Sequence, residues 1–157
     1  MNKVIFSHKL PIGHFTVFSQ KPNFPLSEVK QVHGNLVIEI NDMTDQCEAD
    51  GISMDLNNDS ALAIKTADCL PICIIGKRGV AMVHAGWRGV QKKIMTSLEI
   101  EKIDPYYFFI GPSIQKQSFR VTEEFCDHFP NDLEFFSKTT FDPQGVTKKY
   151  INEAFPD

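Results

Sequence analysis

Residues 84–89 of this 157-residue chain read His-Ala-Gly-Trp-Arg-Gly, the densest run of reactive side chains in the sequence. An imidazole, an indole and a guanidinium stand together, flanked by glycines that leave backbone amides accessible. Two companions lie upstream: His33, in Gln31-Val32-His33-Gly34, and Cys69, in Thr66-Ala67-Asp68-Cys69-Leu70-Pro71. Imidazole nitrogen and thiolate sulfur are zinc ligands, and a catalytic zinc takes three protein ligands with a fourth position open. His33, Cys69 and His84 make such a set. Their separations of 36 and 15 residues match no local zinc finger, so only the fold can assemble them. Read without a metal, each is a hydrogen-bonded histidine or a buried cysteine.

The neighbours of these three carry chemistry of their own. Asp68 is either an acceptor that orients a ligand, a proton carrier, or a turn residue ahead of Pro71. Asp50, in Glu48-Ala49-Asp50-Gly51, offers the same choice. Arg88 stands at the start of an expected helix between Gly86 and Gly89, an arrangement that favours phosphate or another anion. Trp87 presents a flat face on which a base could stack. The plainer alternatives are a core tryptophan and a surface arginine. The candidate catalytic residues are therefore Cys69, Asp68 and His84, and the candidate substrate or phosphate contacts are Trp87, Arg88 and Gly86.

Positioning them falls to short apolar runs. Val80–Val83 and Ile72–Ile75 flank Gly76-Lys77-Arg78-Gly79, a hairpin signal that leaves His84 at a strand end. Phe15–Phe18, Val29–Val32, Leu36–Ile40 and Tyr106–Ile110 also have strand character. Gly51–Met54 and Ala61–Lys65 read as strands joined by the polar turn 55–59. The spacing of Val90, Ile94 and Leu98 predicts one helix over 88–99, and Thr122 is placed as the N-cap of a second. Lys148–Ala154 is expected to form a short terminal helix. The pattern predicts a single strand-rich, mixed α/β domain.

Composition narrows the function classes. The net charge of −4 and pI near 5.7 leave no basic stripe for nucleic acid. No apolar stretch approaches the roughly 20 residues of a membrane span, and the apolar start at Met1–Phe6 stops too soon for a signal peptide. A cytoplasmic protein is expected. The four cysteines lack the spacing of a disulfide framework, and Cys69 and Cys73 stand four apart rather than as Cys-x-x-Cys. Reduced thiols are expected.

Taken in order, Gln31-Val32-His33-Gly34, Glu48-Ala49-Asp50-Gly51, Ala67-Asp68-Cys69-Leu70-Pro71, His84-Ala85-Gly86-Trp87-Arg88-Gly89 and Gly111-Pro112-Ser113-Ile114 resemble the signature of the YfiH/laccase-domain family. The resemblance runs from about residue 29 to 122 and implies a single YfiH-like (Cys hydrolase-like) α/β domain over 1–157. It implies a metal held by two histidines and a cysteine, which fall on His33, Cys69 and His84. Family members are described as purine nucleoside phosphorylases with adenosine deaminase activity, as polyphenol oxidases and as peptidoglycan-editing factors. The usual arginine-bearing segment before Gln31 and the usual Cys-Thr close are missing, and Phe119-Arg120-Val121 stands where Tyr-Glu-Val is more usual. A member shortened at both ends is expected.

The chemistry orders these activities. Zinc with an open position lowers the pKa of its water to about 7, which suits attack at purine C6, with Asp68 a proton carrier. Phosphorolysis requires a phosphate, for which Arg88 is available. The expected partners are thus a small nucleoside and phosphate, with neither nucleic acid nor membrane. A multicopper oxidase requires many histidines and the chain has five, although a His₂Cys set also accepts copper. Two other readings stay open: a metal-free Cys/His hydrolase acting on peptidoglycan precursors, with Cys69 as nucleophile, and a zinc-binding protein without turnover.

Overall fold

Gly76-Lys77-Arg78-Gly79 folds the chain back on itself, and the two apolar runs that it joins form the middle of the sheet. The computed structural model describes residues 3–42 and 47–156. In chain order the strands and α-helices are β1 (Val4–Lys9), β2 (His14–Phe18), β3 (Ser27–Glu28), β4 (Val37–Glu39), β5 (Gly51–Asp55), β6 (Leu62–Ala63), β7 (Leu70–Gly76), β8 (Gly79–Ala85), α1 (Trp87–Gln91), α2 (Leu98–Lys102), β9 (Pro105–Ile110), β10 (Phe136–Ser137), β11 (Thr140–Phe141) and α3 (Pro143–Ala154). Five strands form the main sheet in the order β4-β5-β8-β7-β9. Only β4 and β5 run parallel in it. Three two-stranded ribbons, β1–β2, β3–β6 and β10–β11, complete the strand structure of the described residues.

Strand alternation divides the central hairpin between two environments. Leu70, Ile72 and Ile74 of β7 join Ala81, Val83 and Ala85 of β8 in the core beneath the helices. There they meet Val90, Ile94, Met95, Ile100, Val146 and Ile151. Each fully buried aliphatic side chain of this kind contributes about 1.5–3 kcal/mol. The alternate residues Cys73, Ile75, Val80 and Met82 go to the other face, where the β1–β2 ribbon lays Leu10, Phe15 and Val17 over them. Beside that ribbon, Leu62 of β6 packs with Val29, Ala49 and Ile52. His84, two residues beyond Met82, shares this second face.

Several expectations hold: the hairpin, the strands at 15–18 and 106–110, and a terminal helix. That helix begins earlier than expected, at Pro143, because Asp142 caps it by accepting the Gly145 amide at 2.9 Å. Others are corrected. The helix expected over 88–99 is two short α-helices separated by a 3₁₀ turn at Ile94–Thr96, because Lys93 takes a left-handed φ of 54°. Val90 and Ile94 are buried as their spacing implied, but Leu98 is 66% exposed and Ile100 takes the inner position. The strands expected at 51–54 and 61–65 are present as β5 and a shorter β6, but they go to different partners: β5 lies between β4 and β8 while β6 pairs with β3. Val29–Val32 provides a bridge from Lys30 to Glu48 rather than a strand. Glu123–His128 is 3₁₀, and the Thr122 side chain makes no cap bond. No helix among the described residues is long and apolar enough to cross a membrane.

Candidate metal centre

The three predicted ligands arrive from three different places. His84 is the penultimate residue of β8, and Cys69 immediately precedes β7. The β7–β8 register pairs Leu70 with Ala85, so Cys69 emerges opposite the chain turn at Gly86. His33 comes from the loop between β3 and β4. One potential ligand atom from each of His33, Cys69 and His84 lies within 4.8 Å of the others. The two imidazoles stand almost perpendicular, at 87°, with centroids 4.8 Å apart. Gly86 closes against the group: a Cβ there would lie 3.2 Å from His33 Cδ2 and 3.4 Å from Cys69 Sγ. A side chain at 86 would crowd the cluster.

Behind the cluster lies Asp50, fully buried just ahead of β5. His84 Nδ1 is 2.8 Å from Asp50 Oδ1, and the His33 amide donates to the same oxygen at 3.0 Å. The Gly34 and Val32 amides donate to Oδ2 at 2.7 and 3.3 Å. One carboxylate thus fixes the ring of His84 and the backbone of His33, which sits at a left-handed φ of 58°. Burial by itself would raise the Asp50 carboxyl, but the His84 hydrogen bond and the three amides hold it below the ordinary carboxylate range. An anionic partner at Nδ1 places the proton there and leaves Nε2 as the lone-pair nitrogen. His84, Cys69 and His33 thereby present a donor set of the kind that zinc and copper accept.

Asp68 does not share the Asp50 network. It is exposed, and its carbonyl accepts the Ile114 amide at 2.9 Å, tying the Gly111–Ile114 loop to the loop that carries Cys69. Burial, then the charges of Asp68 and Asp50, push the Cys69 thiol up from its ordinary value. Gly86 serves as the N-terminal flank of α1. Trp87 is half-buried, its ring 5.2 Å from Phe125 and 4.7 Å from His128, while the exposed Arg88 lays its guanidinium 4.5 Å over the indole. Trp87 is therefore both a core contact and the platform over which Arg88 lies.

Asp50 is the residue whose importance the sequence left undecided. Its signal was an acidic residue directly before a strand, and Asp68, two residues ahead of β7, gave a similar one. The two differ only in which strand follows and where that strand pairs.

Comparison with known proteins places this arrangement. A family described as multi-copper polyphenol oxidoreductase laccase matches residues 15–153. A purine nucleoside phosphorylase of Aquifex aeolicus is 34% identical over 129 residues, covering 78% of this chain and 62% of that protein. The adenosine deaminase RL5, from an unknown prokaryotic organism, is 33% identical over 76 residues, covering 43% of this chain and 29% of its own length. In structure, the hypothetical protein YfiH of Bacillus licheniformis superposes with a TM-score of 0.67 at 21% identity, over 80% of this chain and 58% of that one. The chain thus spans at most about three-fifths of each of these relatives' lengths. With the family matched over nearly its whole length and the fold shared, this chain belongs to the laccase-like family that includes the YfiH proteins.

Proposed function

We propose that the chain holds one zinc ion through His33, Cys69 and His84 and acts on purine nucleosides, as a phosphorylase that also deaminates adenosine. The observation that carries this reading is the convergence of His33, Cys69 and His84 within 4.8 Å, with Asp50 bonded to His84 Nδ1 behind them. Zinc bound there would supply a Lewis acid and a water of lowered pKa. The names of the relatives, purine nucleoside phosphorylase and adenosine deaminase, support the substrate class.

The protein groups divide the remaining work. Asp50 keeps the His84 ring in one tautomer and one orientation. Asp68, exposed next to Cys69, takes a proton at its carboxylate and returns it to the leaving amine or base. Arg88 offers its guanidinium to the phosphate that attacks the anomeric carbon in phosphorolysis, as the base departs with the glycosidic electron pair. Trp87 keeps that guanidinium in place from below.

The competing chemistries fit less well. A metal-free thiol nucleophile requires a depressed pKa, and Cys69 is pushed the other way by burial and by two carboxylates. A multicopper centre requires a second, histidine-rich cluster, and the described residues bring together one group of three. Copper in that His₂Cys group would have no electron-accepting partner site among the described residues.

Metal content by mass spectrometry, followed by adenosine assays with and without phosphate, tests the reading. The expected result is one zinc per chain, adenine only when phosphate is present, and inosine without it. Cys69→Ala is expected to lose the metal and both products. Undiminished product from that variant would remove the metal from the mechanism.

A further inference from the structure

The β1–β2 and β3–β6 ribbons lie on the same face of the main sheet and do not pair with each other. Between them runs a trough along the β7–β8 seam, made of two adjoining clefts of about 480 and 470 Å³. The clefts share Met82 as floor and Phe15, Ala61 and Leu62 as walls. This is the face on which His84 stands, and one end of the trough is lined by residues that adjoin the metal-ligand cluster. Pro71 lines that end and pairs with His84 across the hairpin. Thr66 also lines it, and its hydroxyl donates to the Cys69 carbonyl at 2.5 Å. Gln31, two residues before His33, clamps the trough wall through paired bonds with the Lys65 backbone at 2.7 and 2.6 Å.

The lining has a definite chemical character. Its floor is apolar, and Phe18 and Phe24 meet edge to face at 5.9 Å on the wall. Polar and charged groups also line it, among them Lys21, which pairs with Glu28 at 2.5 Å, and the exposed Lys65. Apolar and aromatic surfaces take the face of a flat ring, and polar groups take its heteroatoms. Order along β8 adds direction: Met82 in the trough, His84 at the cluster, then Gly86 and Arg88 beyond the strand end. Same-face residues on a strand lie about 6.5–7 Å apart, so one bicyclic ring over Met82 puts its substituent at His84.

On these grounds we propose that the trough between the two ribbons is the subsite for the heteroaromatic base of the substrate. In phosphorolysis the base lies over Met82 and Pro71 with its sugar bond toward His33, Cys69 and His84 and the phosphate beyond, at Arg88; in deamination the ring is turned within the trough so that C6 faces the cluster. The assignment rests on the nucleoside reading above and adds where the base lies.

The methionines test it. Met82 is half-buried on the trough floor, whereas Met95 is fully buried in the core on the opposite face. With ¹³C-methyl-methionine protein carrying its metal, adenosine titration is expected to shift the Met82 signal and leave Met95 in place, with signals assigned by single Met→Leu replacements. Ala61→Trp fills the trough from an exposed wall position and is expected to weaken adenosine binding by calorimetry at least tenfold, with metal content unchanged. Calorimetric binding of adenosine with a stationary Met82 and an unaffected Ala61→Trp would overturn the base subsite while the nucleoside reading stands. No binding of adenosine or any other purine nucleoside to the wild type would overturn both. A Met82 shift caused by a peptidoglycan peptide and not by adenosine would overturn the assignment of a base.

Discussion

Asp50 binds both histidines of the cluster, so the site's precision at the scale of single residues rests on a group that is not itself a ligand. Asp50→Asn retains the volume but removes the charge, and is expected to weaken zinc affinity by about 10–100-fold in competition with a chromophoric chelator. Because the folded-state carboxyl is held low, its contribution to the metal-free protein is complete above the ordinary aspartate value of about 3.9. It is lost as pH falls through the lower folded value. Urea midpoints measured from pH 6 down to pH 2 are therefore expected to fall less steeply for Asp50→Asn than for wild type, and identical slopes would remove Asp50 from the acid response. At this scale the sequence was informative about residue type. His33, Cys69 and His84 were identifiable as candidate ligands because few other side chains do that chemistry, and the structure brings the three together. The choice between Asp50 and Asp68 was not legible, since each precedes a strand and only the pairing of β5 with β8 carries one of them to His84 Nδ1.

The secondary-structure elements show where local signals suffice and where they fail. Lys77-Arg78 between two glycines and two apolar runs specified the β7–β8 hairpin almost completely. The break at Lys93 had no local signal, for neither glycine nor proline interrupts residues 90–100. It arises because a left-handed turn lets Val90, Ile94, Met95 and Ile100 all enter one core, which a straight helix would not allow. The base of the hairpin is tighter than the sequence could reveal. A Cβ on Gly76 would stand 2.0 Å from the Ile103 carbonyl oxygen, a backbone atom unable to retreat. Gly76→Ala is expected to cost at least about 2 kcal/mol, lowering Tm by at least about 4 °C. Gly86→Ala meets side chains instead and is expected to alter Tm little while weakening zinc binding. The reverse order of effects would mean that Gly86 serves the fold rather than the cluster.

As a whole molecule, the chain builds a five-stranded sheet with a packed core on its helical face, while spanning 62% of the Aquifex relative's length. Ile74, fully buried at the centre of β7, carries part of that core, and Ile74→Ala is expected to cost about 2–5 kcal/mol in chemical denaturation. The site links to this stability through mass action. If the proposed zinc binds, free zinc at a hundred times its Kd is expected to add about 2.7 kcal/mol, or about 5–11 °C in Tm, and a chelator to reverse the gain. The overall class, a strand-rich α/β domain, was legible from the alternation of apolar runs. The layering of two ribbons over one sheet face was not, because β3 and β6 are only two residues each and far apart in sequence. The most direct test of the central claim is X-ray absorption at the zinc edge of the purified protein. Cys69, His33 and His84 predict one sulfur at about 2.3 Å and nitrogens at about 2.0–2.1 Å, with the sulfur lost in Cys69→Ala. A shell without sulfur in the wild type, or one unchanged by that substitution, would contradict it.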